Sequence, residues 1–276
     1  MGPYLSIDET ALSKGELYTI ITNKKAKGKK GALVAIIAGT RAESIMEQLL
    51  KIPSSQRNKV KEITLDMAHS MKLIAQKCFP KAIQVTDRFH VQKLAIEALQ
   101  KLRIKHRWEA IDYENEQIQK GRTKGQSYTP ENFTNGDTRK QLLARSRYLL
   151  YKAPSSWTES QSERAKILFH QYPDIAKAYE LVNSLRNVFN QTSTIEAGYT
   201  RLAHWYKEVE ESGFKSFNTV ATTISLNYRS ILNYFINRST NASAESFNAK
   251  IKAFRSQFRG VKNVEFFLFR LTTIFS

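Results

Sequence analysis

The amino-acid sequence predicts an α/β fold: a mixed five-stranded sheet in the order β-β-β-α-β-α-β-α, with a large all-helical segment set in before the last helices. Three observations carry this. Residues 4–38 read as three strands joined by short turns. Two further strands follow, each leading into a helical pattern. Residues 139–237 then show helical periodicity alone.

The strands come first. Tyr4 to Asp8 alternates, with Leu5 and Ile7 on one phase and Ser6 and Asp8 on the other. A turn at Gly15 leads to Leu17–Thr22. Lys24 to Lys30, which includes Lys29 and Lys30, reads as a basic hairpin tip before Ala32–Ala38. This is an antiparallel meander. A helix fits Arg41–Leu50 and is bounded by Pro53. Glu62–Asp66 is a fourth strand, Ser70–Phe79 a helix stopped by Pro80, and Ala82–Thr86 a fifth strand. Asp87 can cap the next helix, Phe89 to about Trp108. A meander followed by βαβ units implies helices on both faces of the sheet.

Residues 109–240 differ. A charged stretch (Glu109–Lys120) and a basic polar loop to Asp137 precede helical patterns at 139–152, 158–171, 174–190, 194–212 and 219–237. Trp157 and Trp205 read as core residues of this segment. The expected organisation is therefore a core from 1–108 and 241–276, with a helical insertion from 109–240. On a helix over 241–259, Asn241, Glu245, Asn248, Lys252 and Arg259 fall within about 60° of one another at 100° per residue. Phe247, Ile251, Phe254 and Phe258 fall opposite. Val264–Phe275 is apolar and should pack on the core.

Composition narrows the function. Lys and Arg number 43 against 25 Asp and Glu, a net charge of +18. A field of that sign implies a polyanionic partner, most simply nucleic acid. Cys78 is the single cysteine, so neither an intrachain disulfide nor a cysteine zinc site can form; a buried structural thiol is expected. No apolar run approaches the ~18 residues of a membrane span, and no signal peptide is evident. No membrane association and a cytoplasmic location are expected.

Asp8 and Asp66 each close a predicted strand, on the phase opposite its apolar residues. Strand ends are where open α/β sheets place their sites. Two carboxylates that meet repel one another unless a cation lies between them, and hard oxygen ligands suit Mg²⁺ or Mn²⁺. With Glu245 they make three carboxylates from three separate elements, the usual protein contribution to two-metal phosphodiester chemistry.

Asp87-Arg88-Phe89-His90-Val91 follows a strand, and Asn241-Ala-Ser-Ala-Glu245-Ser-Phe-Asn248-Ala-Lys-Ile-Lys252 lies on a late helix. In these motifs the chain resembles the catalytic part of DDE-type bacterial insertion-sequence transposases, in the ISL-type group. Ser6-Ile-Asp8-Glu, Leu65-Asp66-Met67, Phe79-Pro80-Lys-Ala82, Ile231-Leu-Asn-Tyr-Phe235 and Arg259-Gly260-Val-Lys-Asn263 add to it. The resemblance implies an RNase H-like fold and metal-dependent DNA strand cleavage and strand transfer with two Mg²⁺ or Mn²⁺ ions. It implies Asp8 as first acid and Glu245 as third. The second is Asp66 or Asp87. Asp66 is preferred because it follows strand four, whereas Asp87 shares the phase of Ile83 and Val85. Asp87 and His90 then match an auxiliary motif; His90 either bonds Asp87 or a backbone carbonyl, or touches DNA near the scissile phosphate. Asn241 and Asn248 would support Glu245, and Lys252, Arg255, Arg259, Arg88, Lys29 and Lys30 would meet DNA.

The implied partners are double-stranded DNA, as terminal inverted repeats and target, and a second copy of the chain. The family's zinc-binding segment and helix-turn-helix have no counterpart in these residues. Either the chain is a fragment, or the part that reads the DNA ends is a separate N-terminal polypeptide or is joined by frameshifting. Ser246 stands where the family has Gly. The rival readings are another RNase H-like nuclease or resolvase, and a non-catalytic DNA-binding relic.

Overall fold

The computed structural model describes residues 1–12, 16–257 and 263–276. Among them, β1 (Tyr4–Ala11), β2 (Leu17–Asn23), β3 (Leu33–Ala38), β4 (Glu62–Leu65) and β5 (Ile83–Thr86) form one sheet in the order β3-β2-β1-β4-β5. The first three pair antiparallel; β4 pairs parallel with both β1 and β5. The helices are α1 (Ala42–Leu50), α2 (Ser54–Arg57), α3 (His69–Cys78), α4 (Arg88–Thr123), α5 (Arg139–Arg145), α6 (Glu159–Gln171), α7 (Pro173–Asn190), α8 (Ile195–Ser212), α9 (Lys215–Leu226), α10 (Tyr228–Leu232), α11 (Tyr234–Asn237), α12 (Ala242–Gln257) and α13 (Val264–Phe275). The mixed five-stranded sheet of the sequence reading is present, and it is compatible with an RNase H-like fold.

The chain divides into two compact units, one of residues 1–91 with 226–276 and one of 92–225. The first holds the sheet. Strand alternation sends Leu5, Ile7, Ile21, Ile63 and Leu65 to one face, where they pack with Ile45 and Leu49 of α1 and Met71, Ile74 and Cys78 of α3. Burial pushes the Cys78 thiol up, as suits an inert core residue. On the other face, Tyr18, Ile20 and Leu33 pack with Phe247 and Ile251 of α12 and Phe267 and Leu271 of α13.

Beside this second apolar cluster, Ser6, Thr22, Glu62 and Thr64 are all buried. Lys24 Nζ donates to Glu62 Oε1 at 3.3 Å and to the Thr64 hydroxyl, and Asn237 Nδ2 donates to Glu62 Oε2 at 2.9 Å. Lys24 is thus an internal cation of the sheet and not part of an exposed hairpin tip. Burial pushes its ammonium pKa down, opposed by Glu62 and then Asp87. At the outer edge of β5, Asn233 Nδ2 donates to the Gln84 carbonyl at 2.9 Å, and the Thr86 and Ser230 hydroxyls lie 2.8 Å apart. α10 therefore covers an edge strand that would otherwise offer free backbone groups.

The second unit is helical. Trp205 is fully buried and donates to the Leu181 carbonyl at 2.9 Å. Trp157 stacks on Tyr179 at 5.5 Å and donates to the Leu149 carbonyl. Thr138 and Thr158 start α5 and α6 with reciprocal capping boxes to Gln141 and Gln161. The buried Asp137 joins the two helices through Arg145 and Arg164, which hold its carboxyl below the usual range despite burial.

Element boundaries also depart from expectation. α4 runs to Thr123, through the 108/109 boundary, because the residues after Trp108 are helix formers although their charges lie on all sides. The pattern at 139–152 stops at Arg145 and continues as short 3₁₀ turns. The pattern at 219–237 is broken at Asn227 and Asn233 into α9, α10 and α11. β1 extends three residues beyond Asp8. Gly15, Phe258 and Arg259 lie outside the described residues. Among the described residues, no helix is long and apolar enough to cross a membrane.

Candidate active site

Asp8 lies within β1, not at its end. The parallel pairing with β4 stops at Ser6 opposite Thr64, while the antiparallel pairing with β2 continues through Asp8 opposite Ile20 to Ala11 opposite Leu17. Asp8 therefore stands just beyond the last residue that β4 pairs, and Asp66 is the first residue after β4. The Asp66 Oδ1 accepts the backbone N–H of Ala68 at 2.8 Å, which holds the turn into α3. Glu245 is exposed in the first turn of α12.

Both Asp8 oxygens are engaged. Oδ1 accepts the backbone N–H of Glu9 at 2.9 Å, and Oδ2 accepts Asn248 Nδ2 at 2.6 Å. Burial pushes the Asp8 carboxyl up. The Glu9 N–H and the His90 imidazole pull it down, and the carboxylates of Glu245 and Asp66 push it up again. His90, Glu245 and Asp66 thus all lie within electrostatic reach of Asp8. Glu9 belongs to the same group: its carboxyl is raised by burial, then by Asp66 and Asp8. Glu9 adjoins Asp8 in the Ser6-Ile-Asp8-Glu motif but shares the strand phase of Leu5 and Ile7, which marks it for the apolar face and hides it as a further acid.

As donors, these residues fit a hard divalent cation: several carboxylates, with mutual repulsion that a cation would relieve. Among the described residues, however, no three of His, Cys, Asp and Glu stand close enough together to hold a metal ion as they are.

Asp87 is differently placed. It is 2% exposed; its Oδ1 accepts the Phe89 N–H and its Oδ2 the Asn241 N–H, each at 3.2 Å. It caps α4 and ties down the start of α12. His90 follows in the first turn of α4, with its backbone N–H on the Asp87 carbonyl at 3.2 Å.

Asn241 and Asn248 correct the reading of an exposed polar face on α12. They are 1% and 6% exposed, while Glu245 and Lys252 are in solvent. On a 100° wheel the two amides lie about 40° and 60° from Glu245, on the side of Ala244 and Ile251. That edge turns into the protein. Asn248 bonds Asp8, not Glu245. Among the described residues, both side-chain polar atoms of Asn241, and Asn248 Oδ1, Ser243 Oγ, Ser6 Oγ and Thr22 Oγ1, are buried without a hydrogen-bond partner.

Compared with known proteins, residues 5–271 match the family model described as Transposase, of the ISL3 DDE type. The chain belongs to this transposase family. It is 23% identical to the transposase for insertion sequence element IS1001 of Bordetella parapertussis, over 99% of this chain and 61% of that protein. It is 30% identical to the transposase for insertion sequence element IS1557 of Mycobacterium tuberculosis, over 65% of this chain and 39% of that protein. The chain thus spans about 61% and 39% of the lengths of these relatives.

Within this transposase chain the basic residues divide by environment. Lys29, Lys30 and Lys252 are exposed. Arg88 is partly buried, with its guanidinium 5.7 Å from the Tyr234 ring centroid. Arg255 is partly buried, with its guanidinium 5.0 Å over the Phe267 ring of α13.

Proposed function

We propose that this chain is the catalytic region of a DNA transposase, which cleaves DNA at the ends of an insertion sequence and joins them to a target. The observation that supports it is the hydrogen bond from Asn248 of α12 to Asp8 of β1, which brings the helix bearing Glu245 to the strand, with Asp66 and Glu245 acting electrostatically on Asp8, in a chain that belongs to the transposase family. Asp8 and Asp66 would hold divalent metal, Mg²⁺ or Mn²⁺, from the sheet, and Glu245 from the helix. When bound, two such ions supply an activated water or 3′-hydroxyl and a stabilised leaving oxygen.

The chain's own part is placement. β1 and β4 run side by side and carry two of the acids out at one end of their pairing. Asp87 fixes the entry of α12, which bears the third. His90, in electrostatic reach of Asp8, would contact DNA beside the acids. Lys252 on the exposed side of α12, together with Lys29, Lys30, Arg88 and Arg255, would contact DNA phosphates; Arg259 is proposed on its sequence position alone. Asp66 is favoured over Asp87 as second acid because its charge acts on Asp8 and Asp87 spends both oxygens on backbone N–H groups. Double-stranded terminal repeats and target DNA, a second copy of the chain and a segment that reads the ends complete the proposed assembly.

Cleavage of duplex DNA carrying insertion-sequence ends, with and without Mg²⁺, tests this. Metal-dependent nicking at the ends by the wild type, lost in Asp8→Ala, supports it. Equal nicking by Asp8→Ala would refute it.

A further inference from the structure

We infer that Asn248 is a positioning residue for Asp8. It sets the direction of that carboxylate and fixes α12, with Glu245, against β1. The inference rests on the metal-dependent reading above and goes beyond it.

Asp8 is held by two donors on separate elements. The Glu9 N–H comes from its own strand and the Asn248 amide from α12, one donor on each oxygen. A carboxylate fixed at both oxygens cannot rotate freely, so its remaining lone pairs keep one direction. Metal-binding carboxylates depend on such outer hydrogen bonds for their orientation.

The same bond acts on α12. Asn248 lies three residues after Glu245, within one turn of the helix. Fixing Asn248 to Asp8 therefore fixes the stretch of α12 that bears Glu245. Asp87 holds the start of α12 through the Asn241 backbone N–H, but the side-chain polar atoms of Asn241 and Ser243 there are buried and, among the described residues, unbonded, so they add no tie to Asp8. The apolar seat formed by Phe247 and Ile251 resists lifting of the helix, but it does not set the rotation of the Asp8 carboxylate. Asn248 Nδ2 is a side-chain donor from α12 that reaches an acid of the site, Asp8.

Asn248 is also costly to bury. It is 6% exposed and its Oδ1 makes no hydrogen bond. A hydrophobic residue there would extend the Phe247 and Ile251 face without that penalty. A buried amide that bonds one acid and leaves its other end unsatisfied is explained by what it does to that acid.

The test is Mn²⁺ binding, read by electron paramagnetic resonance of the free ion, alongside thermal unfolding of the metal-free protein. The proteins are wild type, Asn248→Leu, Asn248→Ala and Asp8→Ala. The inference predicts that Asn248→Leu binds Mn²⁺ about 10–100-fold more weakly than wild type, while its unfolding temperature is unchanged or higher. Asn248→Ala removes the donor in a good helix former and reads the same loss if the leucine variant does not fold. Wild-type Mn²⁺ affinity in a folded Asn248 variant, with binding lost in Asp8→Ala, would overturn the inference and leave the proposed function standing. Wild-type protein that binds no Mn²⁺ with duplex DNA present would overturn both.

Discussion

The Asp87 Oδ2 accepts the backbone N–H of Asn241 at 3.2 Å, so the residue that caps α4 also holds the entry to α12. This joins two chain segments more than 150 residues apart in sequence. It gives Asp87 a structural task that separates it from Asp66.

Replacement of Asp87 should therefore act on stability. Asp87→Ala removes an N-cap and leaves a buried N–H unpaired, a cost of about 1–3 kcal/mol. Asp66→Ala removes one turn hydrogen bond beside a group of carboxylates and should leave the unfolding temperature near that of wild type. Chemical denaturation of both variants checks this. An Asp87→Ala protein as stable as wild type would show that the two backbone bonds contribute nothing.

The Asp8 carboxyl makes a pH prediction. Its folded pKa is raised above the ordinary 3.8, chiefly by burial. Its contribution to folding is then complete below that ordinary value and is lost as pH rises through the raised folded value. Metal-free protein should lose stability over that interval, and Asp8→Asn should lose less. The asparagine can also donate to the unbonded Oδ1 of a flipped Asn248. Asp8→Asn should unfold at a higher temperature than wild type at pH 7 without metal. An unfolding temperature that falls in this variant would show that the ionised carboxylate stabilises the apo fold.

Lys24 and Glu62 form a buried pair, with side-chain exposures of 14% and 3%. Lys24→Met leaves Glu62 with Asn237 alone against its charge, and breaking such a pair costs about 3–5 kcal/mol. The double variant Lys24→Met, Glu62→Leu should recover much of that loss. Urea titrations of the single and double variants decide it, and a single variant as stable as wild type would contradict the pairing.

Much of this arrangement could be read from the sequence. The alternation of Leu5 and Ile7 against Ser6 and Asp8 predicts both faces of β1, since period-two burial is a local signal. α13 was expected at Val264–Phe275 and is found there because its apolar residues and Asn263 cap are local too. Other features depend on contacts distant in sequence. Asn241 and Asn248 look like solvent-facing neighbours of Glu245 until β1 and the α4 cap are placed beside them. Lys24 resembles its exposed neighbours until Glu62 reaches it from β4. The break at Asn233 follows from its bond to the edge of β5. The full length of α4 is not legible in the sequence because charges surround its second half and no apolar stripe marks it.

DNA affinity should respond unequally to the basic residues. Lys252 is exposed on α12, whereas Lys24 is spent inside the sheet. Lys252→Ala should weaken duplex binding uniformly across sequences and lower the slope of log affinity against log salt by about 1. Fluorescence anisotropy across a salt series measures this, and an unchanged slope would remove Lys252 from the interface.

The most direct test of the central claim is Mg²⁺-dependent strand transfer of a pre-cut insertion-sequence end into target DNA, comparing wild type with Asp8→Ala, Asp66→Ala and Glu245→Ala, each shown to be folded by circular dichroism. The account predicts transfer by the wild type and none by any of the three. Full transfer by any one of them would contradict it.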